Sequence, residues 1–537
     1  MSARRKTRIG IGGLGGRRGA AIAGLVALGL AATACGSDSK DKTSDDKSNG
    51  ATAPAAQGGH LTMLAVQDSA ALDPFRTSYV AVADEPRMAA LYDPMFYIDP
   101  KTGKVTPFLG ESLTTADNGA TWQLKLRQGV QFSDGTPFDA AAVKLNFDTH
   151  AKLDTHSVHA GSAMMFTSAV TDPQTVTLTP VGGPNPNLDR TVASELTYIE
   201  APSAINKGPE VYGSQPIGAG PFVLKSWQRG SVQEFERNPN YWQKDKGLPK
   251  LDGISVKNVP DIQQQYTSVK SGQADIFVSS DQKLLSKAKS EMNVAEFKTD
   301  GGQMVQFNLA KAPFNDPRAR RAIALALDPT EIPKTLDNGY VPATGYFNSS
   351  GPFVDPAVKQ PAPNKDEAQK LFNELAAEGK KVEFSYLVPQ NPSSVKVAEF
   401  MQSRLRQFQN VTMTIESLEI GAYIQKYAIK RDFQAMLFQQ WVVDPEPTVF
   451  NSFYSGSFLN FIGWKNADAD KALLAGRMST DPAARKQAYS DLQKAMAADL
   501  PIWVYAESSN GPIFSTKITG VEQYNAGVFF MDRIGRK

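Results

Sequence analysis

Three of the four histidines, His150, His156 and His159, fall in one short segment with Asp148 and Asp154 interleaved. Imidazole and carboxylate groups so close together are candidate ligands for a divalent transition metal, and on a helix His156 and His159 would face one ion. The competing reading is structural, because the segment follows directly on a predicted helix carrying Val143 and Phe147, where an exposed loop is expected. Nucleophilic chemistry lacks its parts. Lys101-Thr102-Gly103 and the pairs Ser286/Lys289 and Ser393/Lys396 match penicillin-enzyme elements, but in reversed order. No GxSxG, HExxH or GxxxxGK[ST] occurs. Gly10 to Gly15 fits GxGxxG but lacks a preceding strand and a following long amphipathic helix, so it carries no dinucleotide site. An enzyme is therefore not expected, nor is a cofactor.

The scaffold around these residues is large. With 537 residues, 41% apolar and 21% charged, the chain can form about three domains or two large lobes with tails. Lys+Arg 57 against Asp+Glu 55 gives +2, too little to gather nucleic acid. A single cysteine excludes an intrachain disulfide and multi-cysteine metal cages. Strand and helix signals alternate irregularly, which predicts a mixed α/β body. Gly58–Val66 reads as a strand with Leu61, Met63 and Ala65 on one face, and Trp122–Arg127 alternates more clearly, with Trp122, Leu124 and Leu126 on one side. Asp134-Gly135 is a turn. Asp139, Asp316 and Asp481 are predicted helix N-caps, the last two followed by Pro at the first helical position. In the second of these helices Arg318 and Arg321 share a face that reads as solvated rather than as a nucleic-acid patch, and Ala319, Ala322, Ile323 and Ala326 form another. Ile502–Tyr505 is a late buried strand.

The first residues carry an address. Arg4, Arg5, Lys6, Arg8, Arg17 and Arg18 precede an uncharged apolar run, Ala20–Ala34, too short for a permanent span. Residues 1–34 are thus read as a signal peptide, by a general or a twin-arginine route. Cys35 follows Ala32-Thr33-Ala34, a junction that resembles a bacterial lipobox and implies lipidation of Cys35. From Gly36 to Gln57 there is no Ile, Leu, Val, Met or aromatic residue, so 35–57 should be a flexible tether spanning roughly 25 Å.

Ordered motifs then appear along the chain: Leu91-Tyr92-Asp93-Pro94-Met95-Phe96, Leu126 to Phe138, Pro216-Ile217-Gly218-Ala219-Gly220-Pro221-Phe222, Arg237-Asn238-Pro239-Asn240-Tyr241-Trp242, Ser271-Gly272-Gln273-Ala274-Asp275-Ile276, Phe307-Asn308 and Asp316-Pro317-Arg318. In this order they resemble family 5 of the bacterial extracellular solute-binding proteins, the dipeptide-, oligopeptide- and nickel-binding components of ABC importers. The resemblance implies a two-lobed periplasmic-binding-protein-like α/β fold of the large type II. Lobe I would hold 58–300, with 77–215 as an extra subdomain, lobe II 301–507, and 508–537 would return to lobe I.

It also implies a ligand site. In peptide-binding members the Asp of a Trp-x-x-Asp segment meets the ligand's ammonium, and backbone beside the Trp bonds the peptide as an added strand. The matching residues are Gln440, Trp441, Val442 and Asp444. A carboxylate in a closed cleft is costly to desolvate unless a cation meets it, so Asp444 is expected to select an ammonium or guanidinium; the structural alternative is a cap on a Pro-rich turn. The stretch Leu387–Ser394 lacks the Arg that clamps a dipeptide carboxylate, which favours longer peptides. The implied protein is a monomeric, lipid-anchored, exported peptide binder working with ABC permease and ATPase subunits. The alternatives are a carrier of another cationic small molecule or chelated nickel, and a surface hydrolase or sensor. Without residues 1–34 the balance becomes 51 basic against 55 acidic side chains, mildly acidic.

Overall fold

The computed structural model describes residues 55–77 and 84–537. The signal segment, Cys35 and the tether up to residue 54 lie outside the described residues. Among the described residues no helix is long and apolar enough to cross a membrane.

An eleven-stranded mixed sheet organises the fold. His60–Ala65 lies in one half, flanked in parallel by Gly253–Asn258 and Ile276–Ser279. A strand covered on both faces must be apolar on both: Leu61 and Met63 enter one core cluster, while Leu64 enters another with Tyr266, Phe277 and Ile513. The other half contains Val382–Pro389 between the parallel strands Val411–Leu418 and Ala435–Val442. Its core gathers Phe307, Phe314, Phe372, Phe384, Tyr386 and Trp503. Two long antiparallel strands, Phe297–Phe307 and Ile502–Phe514, join the halves. The late strand is thus much longer than the sequence suggested. Their register shifts between Thr299 and Gln303. Gly301 and Gly302, both at positive φ, make this bulge possible, since a Cβ on Gly302 would sit 2.2 Å from the Ala506 carbonyl oxygen.

A separate four-stranded sheet, Gly110–Thr114, Trp122–Leu126, Thr175–Pro180 and Phe166–Asp172, carries its own core. Trp122, Leu124 and Leu126 are buried and Gln123 and Lys125 exposed, as the alternation required. The helix Ala140–Ala151 begins at Asp139, whose carboxylate accepts the Ala142 N–H at 2.9 Å. Asp316 and Asp481 cap the helices Pro317–Ala326 and Pro482–Asp499 in the same way. In the first of these helices Arg318 and Arg321 are half-buried and exposed, while Arg320, between them, is buried, and its guanidinium donates to the Asp499 and Phe314 carbonyls at 2.8 and 2.7 Å.

The helix Leu188–Glu195 closes this smaller core with Leu188, Thr191, Val192 and Ala193. Arg190 and Ser194, four apart, therefore share its other face, and that face meets the segment following Ala435–Val442.

Candidate functional site

A cavity of about 260 Å³ lies where three stretches of chain meet. Tyr97, His159 and Glu195 come from the region of the smaller sheet, Trp441, Asp444 and Thr448 from the Ala435–Val442 strand and its sequel, and Asn510 and Tyr524 from the C-terminal stretch. A second cavity of about 210 Å³ shares Val158, Glu195 and Thr448 with it and is walled by Gln306, Phe438, Gln440, Asn451 and Phe461. The lining is aromatic and amide-rich, suited to a ligand with many peptide-like groups.

Asp444 is buried on this wall, and its carboxylate is already met by protein. Arg485 donates in bidentate fashion, Nη2 to Oδ1 at 2.6 Å and Nη1 to Oδ2 at 3.0 Å. Arg190 Nη1 donates to Oδ2 at 2.6 Å, and the Glu446 N–H to Oδ1 at 3.0 Å. A carboxylate offers about four lone-pair sites, and all are taken. The expectation of an open carboxylate at Asp444 is therefore revised: a ligand cation reaches it only by displacing a guanidinium. Burial works against the Arg485 charge, but Asp444 outweighs it and holds that guanidinium above its ordinary pKa. Nearby, burial lifts Asp189 to about 6, with the Asp444 charge adding to it. Burial also lifts Asp300 to about 7, against the Asn348 N–H that donates to it at 2.7 Å. Glu446, pushed up by burial, pairs with Arg477, whose guanidinium stacks 3.2 Å from the Phe450 ring centroid.

The neighbours of Asp444 divide by role. Gln440 is satisfied inside the protein: its Oε1 accepts from the Tyr346 hydroxyl at 2.6 Å and its Nε2 donates to Ser452 Oγ at 2.9 Å. Val442 is a buried core residue. Trp441 differs, because its Nε1–H is buried without a partner on the wall of the first cavity. Asn510 Oδ1, on the same wall, is a buried acceptor without a partner. Ala435–Val442 pairs along its whole length with Phe297–Phe307, but only Ala435 and Met436 pair with Val382–Pro389. From Phe438 to Val442 its other edge thus has no strand partner among the described residues.

The histidines do not converge. His150 is buried, bonds Ser157 Oγ at 2.8 Å through Nδ1, and is held well below its ordinary pKa by burial and by His159. His156 is exposed at positive φ just after the single turn Leu153–Thr155, so no helix aligns it with His159. His159 is not in an exposed loop as expected: it is buried at the cavity, with Nδ1 2.8 Å from Glu195 Oε2. Among the described residues no group of three or more His, Cys, Asp or Glu is placed to hold a metal.

Sequence reasoning missed Arg190, Glu195 and Arg485. For Arg485 a signal existed: it lies on the helical face that Ala488, Tyr489 and Leu492 bury, and a charge there needs a partner. For Arg190, 254 residues from Asp444, there was none.

Comparison with known proteins adds context to this geometry. Residues 104–460 match the family described as "Bacterial extracellular solute-binding proteins, family 5 Middle". The chain is similar to the glutathione-binding protein GsiB of Salmonella typhimurium, 26% identical over 433 residues, covering 77% of this chain and 82% of the relative. Among solved structures it is similar to the oligopeptide-binding protein AppA of Bacillus subtilis in complex with a nonapeptide (TM-score 0.76, 19% identity, 90% of this chain and 100% of that one). It is also similar to NikA of Brucella suis in complex with Fe(III)-EDTA (TM-score 0.74, 20% identity, 89% and 100%).

Proposed function

Because the chain belongs to family 5 of the bacterial extracellular solute-binding proteins, the substrate-binding components of ABC importers, we propose that it captures peptides in the cleft around Trp441 and Asp444 and delivers them to its permease. The observation that carries this reading is the unpartnered edge of Ala435–Val442 beside the two cavities, with the free Nε1–H of Trp441 at its end. An extended peptide can add to such an edge through main-chain hydrogen bonds, which give affinity with little demand on side chains. The glutathione-binding and oligopeptide-binding relatives are consistent with a peptide-like ligand.

In this reading 58–300, including the subdomain 77–215, forms lobe I, 301–507 forms lobe II, and 508–537 returns to lobe I. Ligand touching both lobes favours the closed arrangement, which the permease recognises. Lipid on Cys35 and the tether to residue 57 keep a monomeric body near the outer face of the cytoplasmic membrane. Calorimetry with short synthetic peptides on the wild type and Trp441→Phe tests the site. The phenyl ring keeps an aromatic face but removes the donor together with part of the indole, so affinity should fall by about tenfold or more, at least the scale of one well-placed hydrogen bond, with the native fold retained. Equal affinities in the two proteins would refute the role of Trp441, and peptides that bind neither would refute the function.

A further inference from the structure

Among the described residues two carboxylates line the cavities, Asp444 and Glu195, and they differ in what is left to offer. All four acceptor positions of Asp444 are occupied by Arg190, Arg485 and the Glu446 N–H. Glu195 uses Oε2 to hold His159 Nδ1 at 2.8 Å, while Oε1 has no donor among the described residues. Its side chain is 28% exposed, enough for a ligand to reach it. It is also the carboxylate common to both cavities, at their junction with Val158 and Thr448. The wall of the first cavity adds an unpartnered donor, Trp441 Nε1, and an unpartnered acceptor, Asn510 Oδ1, on a residue that is 2% exposed. Buried polar atoms left unpaired are costly, and this pair complements the C=O and N–H of a peptide group.

We infer that Glu195, and not Asp444, receives the cationic group of the ligand, with Trp441 and Asn510 reading an adjacent peptide unit. The inference rests on the peptide reading above. An ammonium at Glu195 Oε1 gains a charge-assisted hydrogen bond at a free lone pair, whereas at Asp444 it must first break a guanidinium bond. His159 is then a positioning residue that fixes the Glu195 rotamer. Arg190 and Arg485 make Asp444 a structural anchor for the wall.

The probe is a random library of tri- to pentapeptides, with free or acetylated N-termini and with or without Lys and Arg, retained on immobilised protein and read by mass spectrometry. The wild type should prefer members carrying a cation, and the arms show whether the α-ammonium or a side chain supplies it. Glu195→Gln should reduce that preference by about tenfold or more, the range of a charge-assisted hydrogen bond. Glu195→Asp, still charged, should keep most of it. The preference is a ratio within one protein sample, so a loss of folded protein does not mimic the result. A preference that survives in Glu195→Gln, or that collapses only in Asp444→Asn, overturns the inference and leaves the peptide reading standing. A wild type that retains no peptide overturns the reading itself.

Discussion

The contact between Arg190 and Asp444 ties two stretches 254 residues apart, and its removal has a magnitude that can be worked out beforehand. In Arg190→Gln, Asp444 keeps both bonds from Arg485 and the Glu446 N–H, so the carboxylate is not left as a bare buried charge. The loss should be that of one charge-assisted hydrogen bond, about 1.5–3 kcal/mol. Little discount for solvent applies, since the two side chains are 15% and 5% exposed. Arg190 also donates to the Gly103 carbonyl at 3.0 Å and to Asn187 Oδ1 at 3.2 Å, so the single mutant overstates the pair. A double-mutant cycle with Asp444→Asn, followed by urea unfolding, removes that excess. Arg485→Gln takes away two of the four donors from the same carboxylate, at a guanidinium more deeply buried than that of Arg190, and should cost about 3–5 kcal/mol. A coupling between Arg190 and Asp444 below about 0.5 kcal/mol, or a smaller loss for Arg485 than for Arg190, would refute the account of Asp444 as a filled anchor.

Two further outcomes follow from residues outside that pair. Burial raises Asp300 from 3.8 to about 7, so the native state holds the proton more tightly than the unfolded chain. Its contribution is therefore complete below about pH 4 and is lost as pH rises through about 7, with a slope of up to about 1.4 kcal/mol per pH unit. Urea midpoints of wild type and Asp300→Asn at about pH 5 and about pH 7.5 should diverge, the variant losing less on the way up; parallel profiles would refute the assignment. If Cys35 is lipidated as proposed, metabolic acyl labelling should vanish in Cys35→Ser, and label that persists there would refute that assignment.

The fold was largely legible because its signals are local. Alternation at Trp122–Leu126 needs only five residues, and the caps at Asp139, Asp316 and Asp481 need only the N–H groups two or three positions on. The order of the motifs then supplied what no local signal contains, the family and its cleft. The site was less legible. Trp441 and Asp444 were found in sequence and do lie on the cavity wall, but whether a carboxylate is free or filled depends on side chains that arrive from distant elements. Arg190 is delivered by a helix whose inward face, Leu188, Val192 and Ala193, gives no hint of where the outward face will land. His159 was misplaced for a related reason: the turn at His156 redirects the chain into the cleft, and a single residue at positive φ leaves no periodic trace.

The register of the bulged strand has a consequence for how such a binding site can change over generations. Gly301 and Gly302 stand directly opposite Trp441 and Gln440. The two glycines let the long strand bulge here, and the same rung of the ladder holds Trp441 on the wall of the first cavity and Gln440 on the wall of the second. The bulge and the two cavity walls therefore share four neighbouring residues. A Cβ added to Gly301 would lie 2.8 Å from the Cβ of Gln440, so a side chain there would press on the wall of the second cavity. Substitutions on the far walls, at Glu195, Asn451 and Asn510, would change the chemistry of the cavities without touching this bulge.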